Sequence, residues 1–493
     1  MMELEYVSTR GDKKPYPASK AIIRGLSEDG GLFVPLYIPK LERSMVSLKG
    51  CGYKEIAYEV MKLFFTDYTE EELKDCIEKA YDAKFDTDEI APCVCHDGQW
   101  FLELFHGPTI AFKDMALSIL PHLLTCALKK NRIDDEIVIM TATSGDTGKA
   151  ALEAFADVKG TRIIVFYPKG GVSAIQERQM VTQKGANTRV VGVKGNFDDC
   201  QSAVKAMFNN SSLNDEIGKR GYRFSSANSI NIGRLIPQVA YYVYVYVKML
   251  EKGAISEGEK IDPVVPTGNF GNILAGFYAK QMGVPFDKLV CASNENKVLY
   301  DFFDTGTYDA NRDFILTTSP SMDILISSNL ERLIYHSTGD NAEVTAGYMR
   351  GLSEEGKYSV SDDSRRYTRD FVGIYASEQD CADMIRSYHK SSGYVIDPHT
   401  AVAAYANSVH KGVSSNKTVI VSTASPYKFA GSVLSAIDPA LVSDDDKAMA
   451  EKLSEISKVS IPAAVERLWN APVLHDTVCD VDKMQSVVEE WLK

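Results

Sequence analysis

The chain has no apolar run long enough to span a bilayer, no Cys-x-x-Cys pair, no surplus of basic charge and no repeat or low-complexity tract. Each absence removes a class of protein. Lys and Arg number 54 against 67 Asp and Glu, a formal net charge of -13, whereas a nucleic-acid surface needs clustered cations. Neither a nucleic-acid partner nor a membrane is therefore expected. The nine cysteines are scattered, and Cys93 and Cys95 stand one residue apart, so neither a disulfide framework nor a metal-ligand set is read. The opening Met-Met-Glu-Leu-Glu-Tyr lacks the basic start and apolar core of a secretory leader, and a cytoplasmic location with reduced thiols is expected. On that reading the sequons Asn209-Asn-Ser211 and Asn416-Lys-Thr418 are chance matches. What remains is a chain of 493 residues, 45% hydrophobic, able to bury a large core over two or three domains.

Four segments carry chemistry. In His106-Gly-Pro-Thr-Ile-Ala-Phe-Lys113-Asp-Met-Ala-Leu one lysine sits in an apolar run. Burial disfavours an ammonium and lowers the amine pKa, which suits a Schiff-base former; alone, the segment reads sooner as an amphipathic helix whose lysine reaches for water. In Asp262-Pro-Val-Val-Pro-Thr-Gly268-Asn269-Phe270-Gly271-Asn272 a short apolar strand ends in a glycine turn and enters a helix, the build of a phosphate cup that uses backbone N–H groups instead of cations. No Gly-x-Gly-x-x-Gly is present there, so this is not a dinucleotide fingerprint. In Glu136-Ile-Val-Ile-Met-Thr-Ala-Thr143-Ser144-Gly145-Asp146-Thr147-Gly148-Lys149 the same strand–turn–helix pattern fails as a nucleotide P-loop, because Thr143 replaces its first glycine and Ala150 follows the lysine. A loop rich in N–H and hydroxyl donors at a helix start suits a carboxylate, or is simply a capped helix. In Lys417-Thr-Val-Ile-Val-Ser422-Thr423 a buried-type strand ends in hydroxyls, one of which can hydrogen-bond a pyridine nitrogen without protonating it.

In this order the four segments resemble the threonine synthase family of pyridoxal-phosphate enzymes, which convert O-phospho-L-homoserine and water to L-threonine and phosphate. The resemblance extends through Tyr6-Val-Ser-Thr-Arg-Gly11, Ser27-Glu-Asp-Gly-Gly-Leu-Phe-Val-Pro35, Gly195-Asn-Phe-Asp-Asp-Cys200, Asn228-Ser-Ile-Asn231, Ser319-Pro-Ser-Met-Asp-Ile324 and Asp397-Pro-His-Thr-Ala401, so it covers nearly the whole chain. It is closest to the longer branch found in fungi and many bacteria. The resemblance implies that Lys113 tethers pyridoxal 5'-phosphate and then shuttles protons. It implies that Gly268, Asn269, Phe270, Gly271 and Asn272 bind the cofactor phosphate, that Thr423 faces the pyridine nitrogen, and that Asp146 lies near the ring's 3-oxygen. Thr143, Ser144, Gly145, Asp146 and Thr147 would receive the substrate carboxylate. Asn231, Arg234 and the stretch from Ser173 to Gln176 would meet the substrate phosphate, although the Ile-Gly pair before Arg234 departs from the family pattern.

An anionic substrate on an acidic protein needs a local basic pocket, for which Lys149, Arg178, Lys184, Arg234 and Lys428 are candidates. The fold expected is α/β: two doubly wound domains with mainly parallel sheets around a cofactor cleft, under an α-rich N-terminal layer. Residues 1–95 form that layer, with helices over 53–65 and 70–81; 96–135 and 235–493 form the large cofactor domain, and 136–234 the small one. A monomer or homodimer acting on a small molecule is expected. The rivals are a serine/threonine dehydratase-type lyase, which would share the lysine and glycine loop, and a catalytically silent relative, which would be expected to have lost them.

Overall fold

In the computed structural model, which describes every residue except Met1, Met2, Lys13, Ser144 and Ser173, the alternating apolar and helical stretches resolve into two mainly parallel sheets. The N-terminal layer carries β1 (Glu5–Ser8), β2 (Tyr16–Pro17) and β3 (Phe33–Pro35), an antiparallel sheet in the order β2-β1-β3, with helices at Ala18–Arg24, Tyr53–Phe64 and Glu70–Ala80. The third helix opens on a capping box: Thr69 Oγ1 accepts the Glu72 N–H at 3.2 Å while the Glu72 carboxylate accepts the Thr69 N–H at 2.9 Å. The small sheet adds to the helical layer read from the sequence; its strands of two to four residues are too short for alternation to show.

A hairpin follows, β4 (Cys93–His96) and β5 (Gln99–Glu103), turned by Asp97 and Gly98 at φ 52 and 74, the Asp-Gly pair that a tight two-residue turn prefers. The expected boundary at 95 falls inside β4. Next come β6 (Glu136–Ala142), β7 (Thr161–Pro168), β8 (Thr188–Lys194) and β9 (Tyr222–Ser225), then β10 (Ile261–Pro266), β11 (Leu289–Ser293), a short antiparallel pair β12 (Thr307–Asp309) and β13 (Lys357–Ser359), β14 (Phe371–Tyr375), β15 (Lys417–Ser422) and β16 (Val478–Asp480). The large sheet runs β14-β11-β10-β15-β5-β4, parallel except for β4. The other runs β16-β8-β7-β6-β9 and is wholly parallel.

The last strand, within the stretch 235–493 expected in the large unit, joins the five-stranded sheet. β16 pairs with β8, Cys479 opposite Val193, and the helix Met484–Trp491 brings Met484 and Val488 into the cluster of Val138, Met140, Ile164 and Phe166. The outer face of the five-stranded sheet is apolar and is covered by the helices Phe197–Asn209 and Ser211–Lys219, to which the C-terminal helix adds. The helix Ile232–Glu251, which follows β9 and precedes β10, is buried on nearly all sides and packed on Tyr53–Phe64 and Gly271–Met282. A helix apolar all round belongs in a core. Among the described residues no helix is long and apolar enough to cross a membrane.

Candidate active site

All four chemical segments follow the C-terminal ends of parallel strands: β5 leads to Lys113, β6 to the Thr143–Thr147 turn, β10 to Gly268–Asn272 and β15 to Thr423. Ligands of open α/β sheets bind at such ends. The lysine segment is tied to the end of β15, because Phe112 N–H donates to the Thr423 carbonyl at 2.8 Å and Ser425 N–H to the Ile110 carbonyl at 3.1 Å. Ile110 sits at φ 52, a left-handed conformation that costs a β-branched residue about 1–2 kcal/mol and that turns the chain into Lys113.

The Lys113 side chain is 11% exposed, and its Nζ donates to Ser321 Oγ at 3.2 Å and lies 3.7 Å from Asp146 Oδ2. Burial lowers the amine pKa, and Lys428 and Arg234 lower it further against the opposing pull of Asp146. Asp146 stands in the first turn of the helix Asp146–Phe155, reached through Gly145 at φ 141, where a Cβ would lie 2.4 Å from the Gln176 side chain. Its carboxylate accepts from Ser321 Oγ at 3.0 Å and Gln176 Nε2 at 3.1 Å, and pairs with Lys428 Nζ at 3.2 Å. Although burial opposes the charge, Lys428 and Lys113 hold this carboxyl well below the usual carboxylate range.

The glycine turn has the cup geometry. Phe270, at φ 65 with its ring on Phe303 and Phe371, starts the helix Gly271–Met282, whose first N–H groups have no acceptor within the helix. The carbonyl of Gly268 is held by Ser327 Oγ at 2.6 Å and that of Asn269 by Asn329 N and Nδ2 at 3.1 and 3.0 Å. A Cβ on Gly268 would lie 2.7 Å from the Ser321 carbonyl oxygen, so only glycine fits. Asn272 accepts from Tyr242 Oη at 2.6 Å, while its Nδ2 is buried without a partner among the described residues. Buried donors are rarely left unpaired. Thr423 is buried, with no side-chain hydrogen bond among the described residues. These open donors, with the lysine between them, fit the phosphate, ring and aldehyde of pyridoxal phosphate.

Arg234 is 4% exposed; Nη1 donates to the Ala227 carbonyl at 2.8 Å, Nε has no partner, and no carboxylate among the described residues pairs with it. Burial alone brings its pKa down to about 10. The other expected ligands are engaged by the fold itself. Thr143 Oγ1 accepts the N–H groups of Gly145 and Gly148, both at 3.0 Å, and thereby shapes the turn. Asn231 caps the helix Ile232–Glu251 through Gly233 N–H at 2.9 Å and donates to the Ile22 carbonyl at 3.0 Å. Thr147 is half-buried in the first turn after Gly145. Ser144 and Ser173 lie outside the described residues. Of the basic candidates, Lys149 is taken up by Glu153 and Gln183, Arg178 by the carbonyls of Leu468, Trp469 and Ala471, and Lys184 is exposed.

Sequence reasoning gave no chemical role to Ser321 or His399. Ser321 N–H donates to His399 Nε2 at 3.2 Å, which leaves Nδ1 as the protonated nitrogen facing Asp397 Oδ2 at 2.7 Å. The signal was present, since both residues lie in stretches that carry the resemblance, but nothing in either stretch announces a contact with Lys113.

Two family profiles match the chain: "Threonine synthase N terminus" over residues 5–81 and "Pyridoxal-phosphate dependent enzyme" over residues 88–425. The threonine synthase of Schizosaccharomyces pombe is 36% identical over 461 residues, 87% of this chain and 88% of that protein. The human protein "Threonine synthase-like 1" is 38% identical over 96% of this chain; the chain spans 63% of the length of that relative and of its two primate counterparts. Among solved structures, yeast threonine synthase superposes with a TM-score of 0.89 at 33% identity, covering 99% of each chain. A pyridoxal-phosphate-bound threonine synthase from Brucella melitensis gives 0.87 at 34%, covering 99% of this chain and 98% of that one. With the cup, the buried lysine and these matches in hand, the chain belongs to the threonine synthase family of pyridoxal-phosphate-dependent enzymes.

Proposed function

We propose that the protein converts O-phospho-L-homoserine and water to L-threonine and phosphate. The observation that carries this reading is the buried charge set around Lys113: the cations Lys113, Lys428 and Arg234 against the carboxylate of Asp146, with no carboxylate among the described residues on the Arg234 guanidinium. A buried cation without a counter-ion is costly, and an anionic substrate group removes the cost.

When bound, pyridoxal phosphate withdraws electrons from the substrate carbon bearing the amino group, so that protons there and on the adjacent carbon become removable. The chain's residues do the rest. Lys113 tethers the cofactor and, when released, moves protons as a free amine whose neutral form burial favours. Gly268, Asn269, Phe270, Gly271 and Asn272 hold the cofactor phosphate on backbone N–H groups and on the Asn272 amide. The Thr423 hydroxyl meets the pyridine nitrogen and leaves the ring neutral, which favours elimination and replacement over transamination. Asp146, kept ionised, borders the ring oxygen, and the Gly145–Thr147 turn, with Ser144, receives the substrate carboxylate at the helix start. Arg234 takes the substrate phosphate, assisted by Ser173 and Gln176. Thr143 and Asn231 shape the turn and the helix start that carry these groups. We further place the protein in the cytoplasm, acting on a small molecule as a monomer or homodimer, a reading supported by its acidic charge and scattered thiols.

The test is phosphate release from O-phospho-L-homoserine by purified protein with and without added cofactor. Cofactor-dependent phosphate with stoichiometric L-threonine supports the reading. Oxobutyrate from L-threonine without phosphate release from O-phospho-L-homoserine overturns it in favour of a dehydratase.

A further inference from the structure

The N-terminal layer contributes no chemical group to the site, yet it reaches the cup through one side chain. Arg332, on the helix Leu330–Ser337, is 0% exposed, and no carboxylate among the described residues pairs with it. The neighbouring Glu331 is taken instead by Arg10, at 2.7 and 2.9 Å, and by Thr9 at 2.5 Å. The Arg332 fork spreads over three separate pieces of chain. Nε donates to the Phe33 carbonyl in β3 at 2.9 Å, Nη2 to the Ile230 carbonyl, and Nη1 to Asn329 Oδ1. Asn329, also fully buried, passes the connection on: its N and Nδ2 hold the Asn269 carbonyl of the cup. Ile230 immediately precedes Asn231, which caps the helix carrying Arg234.

A buried guanidinium without a counter-ion is an expensive way to fill a core, since a well-packed apolar side chain of similar volume is often neutral or stabilising. Its planar fork does what no apolar residue or lysine can, which is to fix the relative positions of several acceptors at once. We propose that Arg332 is a positioning residue for the cofactor-phosphate cup, and that through it the N-terminal layer is part of the cofactor site. Asn329 is the link, turning the Asn269 carbonyl away so that the N–H groups of the turn face the phosphate. The inference rests on the cup reading given above.

The test is titration of cofactor-free protein with pyridoxal phosphate, followed by absorbance, alongside thermal melts. Arg332→Lys keeps the charge and loses the fork, and Asn329→Ala removes the link. Each is expected to raise the cofactor dissociation constant about tenfold or more, the equivalent of losing roughly one hydrogen bond from or to a charged or buried group. Leu73→Ala destabilises the same layer away from Arg332 and is expected to lower the melting temperature while leaving that constant within about twofold. If Arg332→Lys fails to fold, Asn329→Ala decides. Wild-type affinity in the folded Arg332 and Asn329 variants, or an equal loss in Leu73→Ala, overturns the proposal. Gly268→Ala separates it from the cup reading: if that variant also binds cofactor normally the cup itself is wrong, whereas if it alone loses affinity only the role of Arg332 fails.

Discussion

Lys113 and Asp146, carried by the segments that follow β5 and β6, face each other at 3.7 Å with the Ser321 hydroxyl between them, accepting from the lysine at 3.2 Å and donating to the carboxylate at 3.0 Å. The serine N–H donates to His399 Nε2 at 3.2 Å, and its carbonyl lies where a Cβ on Gly268 would meet it at 2.7 Å. Ser321→Ala preserves those backbone contacts and removes only the hydroxyl. The expected result is a kcat about tenfold lower or more, the loss of roughly one charge-assisted hydrogen bond, with KM, cofactor affinity and melting temperature little changed. Loss of cofactor binding in parallel with kcat would make the serine a structural brace.

Arg234 is buried, and its Nε has no partner among the described residues. Arg234→Gln is expected to lower kcat/KM for O-phospho-L-homoserine by roughly 10- to 100-fold, the range for a hydrogen bond to a charged group, while cofactor binding stays near wild type. The protein's own stability should hold or rise, because an uncompensated buried charge is removed. Steady-state kinetics with paired melts check both.

The Thr423 hydroxyl holds no protein partner among the described residues, so Thr423→Ala is expected to change stability by only about 0.5 kcal/mol. Its activity should fall by a larger factor, read as kcat against melting temperature on one preparation. Equal losses in both would assign the residue to folding alone.

His106 opens the lysine segment and lies between Asp86, at 2.6 Å from Nδ1, and Glu103, at 2.9 Å from Nε2. Burial works against a charged ring, but the two carboxylates outweigh it and raise the pKa to about 9. The folded value lies above the unfolded one of about 6.5, so this stabilisation is full below that pH and is lost as pH rises through about 9. Melting temperature should therefore fall between pH 7 and pH 10, and His106→Gln should flatten that part of the curve. A variant with an unchanged slope would refute the pairing as a source of stability.

The chemistry-bearing segments were legible because each is local. A buried strand, a turn with glycine or hydroxyls and a helix start lie consecutively in sequence, and hydrophobic periodicity marks them. Ser321 and Arg332 were not legible as site residues. Their roles come from contacts with Asp146, 175 positions away, and Phe33, 299 positions away, and no local pattern encodes such pairings. The C-terminal strand escaped for a related reason: Val478–Asp480 has three residues and is a strand only because β8 offers an open edge. Asn231 and Thr143, residue types suited to ligands, also cap and brace the fold, a use that no local pattern distinguishes from binding.

The account depends on a covalent bond between the cofactor and the nitrogen of Lys113. Lys113→Ala, purified and given pyridoxal phosphate, should lack the visible absorbance of lysine-bound cofactor and release no phosphate from O-phospho-L-homoserine, while wild-type protein does both. Retention of that absorbance, or of phosphate release, by the alanine variant would contradict it.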